Sequence, residues 1–141
     1  AGKGGAIRRL IEPLDPRGYK VYRIGAPDPH EQARHYLYRF WTKVPLPREL
    51  VVFDRSWYGR VLVERVHGLA SEAEWRRAYD EINAFEKMLV DAGVVLVKMW
   101  FHIDADEQLS VGLVDTDLSR AHANTSVFRT TRWSSGRPAA P

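Results

Sequence analysis

Leu50-Val51-Val52-Phe53-Asp54-Arg55-Ser56-Trp57-Tyr58 is the stretch on which the reading of this chain turns. Four consecutive apolar residues predict a short strand buried on both faces, as in a parallel sheet. A carboxylate stands where the run gives out. In open α/β sheets ligands sit beyond the carboxyl ends of the strands, so Asp54 is expected at the mouth of a site. Arg55 follows at once, and a carboxylate beside a guanidinium suits metal-phosphate chemistry. A strand-ending Asp paired with its neighbour for structure alone would look the same, so a second feature has to decide.

The first residues supply it. Ala1-Gly2-Lys3-Gly4-Gly5-Ala6 runs into Ile7, Leu10 and Ile11 at helical spacing, the pattern that closes a phosphate-binding loop. Glycines let backbone N–H groups approach an anion, the helix amino end adds a favourable dipole, and Lys3 would bring a mobile charge. The full motif carries a further glycine upstream and a Ser or Thr after the lysine; here Gly4 stands in the hydroxyl's place. The expectation is a chain cut inside its first motif, without the strand that feeds the loop.

Working outward, helical periodicity covers 4–14 and Asp15-Pro16-Arg17-Gly18 stops it. Tyr19 to Ile24 alternates as a strand. Ala33, Tyr36, Leu37, Phe40, Trp41 and Val44 form the stripe of one amphipathic helix, closed by Pro45 and Pro47. A helix is expected over 56–66. Ser71-Glu72-Ala73-Glu74 is a capping box opening a longer helix that ends at Gly93. Val94 to Ile103 predicts a strand central in the sheet, and Asp104 to Glu107 a further helix start. This alternation argues a parallel sheet flanked by helices. From Ser110 the periodicity is lost, and 110–141, rich in Ser, Thr, Ala, Arg and Gly, is expected to be disordered.

A length of 141 residues suits one domain with a sizeable core. The formal charge is +3, and only five of the 21 basic residues are lysines. That arginine excess fits phosphate recognition as well as it fits a GC-rich genome. No apolar run approaches the ~20 residues of a membrane span, no leader pattern opens the chain, and there are no cysteines for disulfides or thiolate ligands. A cytoplasmic protein with no membrane partner is expected. The five histidines lack ligand spacing, and no motif supports nucleic-acid binding.

AGKGGAIRRL, LDPRGYKVY, PHEQARHYLYRFWTKVP, VVFDRSWYGRVLVERVHG and EINAFEKMLVDAGVVLVKMWFHIDADEQL together resemble the polyphosphate kinase 2 family, in unbroken order over 1–109. The resemblance implies a three-layer P-loop kinase-like α/β fold, a parallel sheet flanked by helices, here with first strand and lid missing. It implies a phosphotransferase that moves a phosphoryl group between inorganic polyphosphate and a nucleotide (ADP/ATP, AMP or guanine equivalents), with Mg2+. By position it makes Lys3, Asp54 and Arg55 the catalytic residues. Gly2, Lys3, Gly4, Gly5, Arg55 and Arg60 would bind phosphate, and Asp54 the metal; Glu64 lies in the same motif. A homo-oligomer is expected at full length. Where the family continues with Arg-Arg-Phe, this chain reads Ser110-Val111-Gly112-Leu113. One choice of codons for those residues, AGC-GTC-GGT-TTG, contains CGT-CGG-TTT one frame over, so a single-base frame shift is the reading that the gene's nucleotide sequence would test. Two alternatives stay open: a nucleoside monophosphate kinase with a nucleotide donor, and an inactive truncated remnant that only binds polyanions.

Overall fold

The computed structural model describes residues 3–101 and 123–130. Helix α1 (Lys3–Ile11) leads to β1 (Tyr19–Arg23), then α2 (Pro29–Gln32), α3 (Tyr38–Trp41) and β2 (Leu50–Asp54). A 3-10 turn over Trp57–Arg60 and the short α4 (Val63–Val66) precede α5 (Glu72–Asp91), β3 (Val94–Phe101) and β4 (Ala123–Thr130). The sheet order is β1-β2-β4-β3. β1 and β2 are parallel with Tyr22 opposite Phe53 and Arg23 opposite Asp54. β3 shares their direction, because β2 and β3 both pair antiparallel with β4.

The buried run of β2 behaves as its composition predicts: Val51, Val52 and Phe53 are at most 2% exposed. Its two faces meet different layers. Val52 packs with Ile7 of α1, while Val51 and Phe53 face the main core with Phe40, Trp57, Ile82 and Phe85. Aromatic edges organise that core, with Trp57 in T-shaped contact with Phe40, Phe53 and Phe85 at 5.5, 5.9 and 4.8 Å. The capping box at Ser71 is formed, with Glu74 returning to the Ser71 backbone N–H at 2.8 Å. Gly93 follows α5 at φ 86°, the left-handed position that favours glycine there.

Four expectations change. Of the single helix expected over 33–44 only α3 forms, and the short α2 lies before that span. Asp28 caps α2 early, with a capping box to Glu31. Arg34 then donates to the His30 carbonyl at 2.7 Å and the Leu37 N–H reaches His35 Nδ1 at 3.4 Å. Side chains thus take backbone groups that a continuous helix would have paired. The helix expected over 56–66 likewise becomes a 3-10 turn plus α4. β3 lies at the edge of the described sheet instead of its centre, and Val95 and Val97 are 41% and 46% exposed. Residues 123–130, expected to be disordered, form β4, whose backbone completes the ladders of β2 and β3. The helix start expected at 104–107 lies outside the described residues.

Candidate active site

The carboxyl edge of β2 carries the chemistry. Asp54 is the last residue of the strand, and Ile24 N–H donates to its backbone carbonyl at 3.0 Å, which ties the ends of β1 and β2 together. Helix α1 crosses the sheet so that its first residue arrives at the same edge. Lys3 Nζ stands 2.6 Å from Asp54 Oδ1, with the two side chains 19% and 18% exposed. The approach is an ion pair without hydrogen-bond geometry, since the buried Oδ1 has no hydrogen-bond partner among the described residues. A carboxylate oxygen that is desolvated, charged and short of donors suits a cation.

Gly4 and Gly5 lie within the first turn of α1 and not in a loop before it; Gly2 lies outside the described residues. A Cβ added at either Gly4 or Gly5 would meet nothing within 4 Å. Packing therefore does not explain these glycines, and they weaken the helix by roughly 1 kcal/mol each relative to alanine. Open space at these glycines leaves room for an anion to approach the first turn of α1. Beside them a groove of about 600 Å³ is lined by Gly5, Ala6, Arg9, Leu10 and Met99.

Arg55 has φ 71°, in the left-handed region. For a non-glycine residue that conformation costs on the order of 1–3 kcal/mol and persists only where its surroundings impose it. Its guanidinium has no ion-pair partner among the described residues. Ser56, 3% exposed, has a buried Oγ without a hydrogen-bond partner among the described residues.

Arg60, expected to bind phosphate, is engaged by carboxylates and an aromatic ring. Its NH1 lies 3.1 Å from Glu64 Oε2 and 4.0 Å from Glu74 Oε1, and its guanidinium sits 4.5 Å from the centre of the Tyr36 ring. Burial raises the Glu64 carboxyl pKa, against the lowering effect of Arg60 and then Arg39. This cluster fastens the 3-10 turn to α3 and α5.

A carboxylate that the sequence reading missed organises the other side of that turn. Glu86, 9% exposed, accepts from Trp57 Nε1 at 3.1 Å and from Tyr58 OH at 2.7 Å through Oε1. Lys98 Nζ donates to its Oε2 and to Tyr58 OH, both at 3.0 Å. The signal was present: Ile82, Phe85, Glu86 and Leu89 share the inward stripe of α5, and a charge on such a stripe needs partners.

Among the described residues no three metal-ligating side chains cluster. Magnesium does not require such a cage, because it keeps several waters and takes one or two carboxylates plus substrate phosphates. Asp54, whose buried Oδ1 has an ion pair to Lys3 and no hydrogen-bond donor among the described residues, fits that pattern. Among the same residues no helix is long and apolar enough to cross a membrane.

Comparison with known proteins shows what the chain resembles. The family model described as Polyphosphate kinase 2 matches residues 1–112. The polyphosphate:AMP phosphotransferase of Pseudomonas syringae pv. tomato is 58% identical over 109 residues, covering 77% of this chain and 22% of that protein. The ADP-polyphosphate phosphotransferase 2 of Rhizobium meliloti is 45% identical over 108 residues, covering 77% of this chain and 35% of its own length. A crystal structure of polyphosphate kinase 2 from Arthrobacter aurescens TC1 superposes with a TM-score of 0.75 at 38% identity, over 84% of this chain and 42% of that one. The chain thus spans about a fifth of the length of the first of these relatives.

Proposed function

The chain belongs to the polyphosphate kinase 2 family, and from that premise we propose that it contributes the phosphate and metal site of an enzyme transferring phosphoryl groups between inorganic polyphosphate and a nucleotide, with AMP as the first acceptor to test. The observation that carries the reading is the 2.6 Å approach of Lys3 Nζ to Asp54 Oδ1 at the carboxyl edge of β2. The choice of AMP follows the 58% identity to a protein named for that acceptor.

In this reading a phosphate oxygen of the nucleotide attacks the terminal phosphorus of polyphosphate, and the bridging oxygen leaves with the shortened chain. The nucleophile is already an anion, so no general base is required; positioning and charge neutralisation do the catalysis. Lys3 exchanges its carboxylate partner for phosphate oxygens, and the first-turn N–H groups of α1 take others. Arg55, held at the mouth of the site, offsets charge spreading over the transferred group. Asp54 would hold magnesium, which when bound supplies electrostatic stabilisation of phosphate oxygens. Arg60, which two carboxylates engage, holds the turn in the ligand-free chain and would reach phosphate only by the same kind of exchange as Lys3.

A donor comparison tests this. With AMP present, ADP should form when polyphosphate is the only phosphoryl donor. Formation of ADP with ATP as donor and none with polyphosphate would favour an ordinary monophosphate kinase and overturn the reading.

A further inference from the structure

We propose that Glu86 is the positioning residue for the Asp54–Arg55 turn. From α5 it holds Trp57 and Tyr58, and so keeps the Arg55 backbone in the left-handed conformation that aims the site. The inference rests on the phosphotransferase reading. Only Arg55 and Ser56 separate the last ladder residue, Asp54, from Trp57. On one side of that two-residue span the backbone is fixed by pairing with β1, Arg23 lying opposite Asp54. On the other, the Trp57 ring is 1% exposed among Phe40, Phe53 and Phe85, and its indole N–H is spoken for by Glu86.

Ring packing alone does not satisfy the buried indole N–H. The hydrogen bond to Glu86 Oε1 sets its depth, and the Tyr58 hydroxyl at 2.7 Å on the same oxygen fixes the next residue too. Lys98 closes the arrangement from β3, bonding both Glu86 Oε2 and Tyr58 OH at 3.0 Å. Three donors converge on one carboxylate, so the anchor requires an acceptor at both oxygens for as long as all three donors are present. A glutamine keeps the shape, but it turns an amino group toward one of those donors. Replacing Lys98 by Met removes the donor that such an amide would face. The pair therefore offers a rescue that a purely space-filling role would not show.

The test is steady-state transfer from polyphosphate to AMP by wild type, Glu86→Gln, and Glu86→Gln with Lys98→Met, with folded fraction followed by near-ultraviolet dichroism. Glu86→Gln should lower kcat at least about tenfold, with KM for AMP within about twofold, since misplacing a positioned group acts on turnover. The double variant should return kcat to within about threefold of wild type. A kcat that falls only in step with the folded fraction, a change in KM alone, or no recovery in the double variant would overturn the assignment. If wild type itself transfers nothing, the functional reading fails separately. The Arg55 backbone resonances then decide: Glu86→Gln must move the Arg55 amide and Cβ shifts away from left-handed values, and unchanged shifts overturn the proposal.

Discussion

Lys3 and Asp54 neutralise each other at 2.6 Å in the folded chain, and they are the groups that a phosphate and a divalent cation would draw apart. On the proposed function the ammonium would compete with metal for the same oxygen as long as no phosphate is present. Lys3→Met should therefore raise the affinity for Mg2+ alone, measured by calorimetry, while lowering turnover on the order of 10²–10³-fold, the usual loss for a group aimed at developing charge. Loss of both together would place the lysine in a structural role. Gly5 makes a prediction of opposite signs. Its Cβ position is open, so Gly5→Ala should stabilise α1 by roughly 0.5–1 kcal/mol. The same methyl would crowd an anion on the first turn and reduce transfer. A gain in denaturation midpoint with unchanged activity would remove Gly5 from the phosphate site.

At the scale of elements, α5 is the best example of structure legible in sequence. Ser71, Glu74 and Gly93 punctuate it as capping chemistry requires, and Ser71→Ala should cost about 1 kcal/mol in a urea melt. The amphipathic stripe from Ala33 to Val44 was equally clear and still misled. It reported that Leu37 and Phe40 face the core, but Ala33 and Trp41 of the same stripe are exposed, and it could not report that Arg34 and His35 would spend themselves on backbone groups. The α5–β3 junction also carries a pH dependence. Burial raises the Tyr58 phenol above its ordinary 10.0, and hydrogen bonds to Tyr58 and then Glu86 raise the Lys98 ammonium above 10.5. Both groups hold their protons more tightly folded than unfolded, so this contribution is complete below about pH 10 and is lost as pH rises through the folded values. Melts in alkaline buffer should show a decline above pH 10 that Lys98→Met makes shallower; parallel profiles for the two proteins would count against the network.

For the whole molecule, the sheet is what brings the two halves of the site together. β2 delivers Asp54 to the carboxyl edge, and α1, packed on Val52 through Ile7, delivers Lys3 to the same place. β4 sits between β2 and β3, with Val127 opposite both Val52 and Val97. Val127→Pro removes a backbone donor in the middle of that double ladder and should cost at least about 2 kcal/mol. Urea unfolding would report it, and an unchanged midpoint would mean that β4 adds nothing to stability. This strand was illegible beforehand because its pairing is non-local: 123–130 has no period of its own that points to partners some thirty and seventy residues earlier. The buried strand and its carboxylate were readable because burial on both faces leaves a contiguous apolar run. Glu86 could be found only by asking what a charge does on a core stripe. The central claim, that Asp54 and Lys3 form one phosphate-metal site, meets its most direct test in 31P NMR of the chain with polyphosphate, AMP and Mg2+, beside its Asp54→Asn variant. Wild type should build up the ADP β-phosphate resonance, and the variant should do so at least about 10²-fold more slowly. Equal rates in the two proteins would contradict the claim.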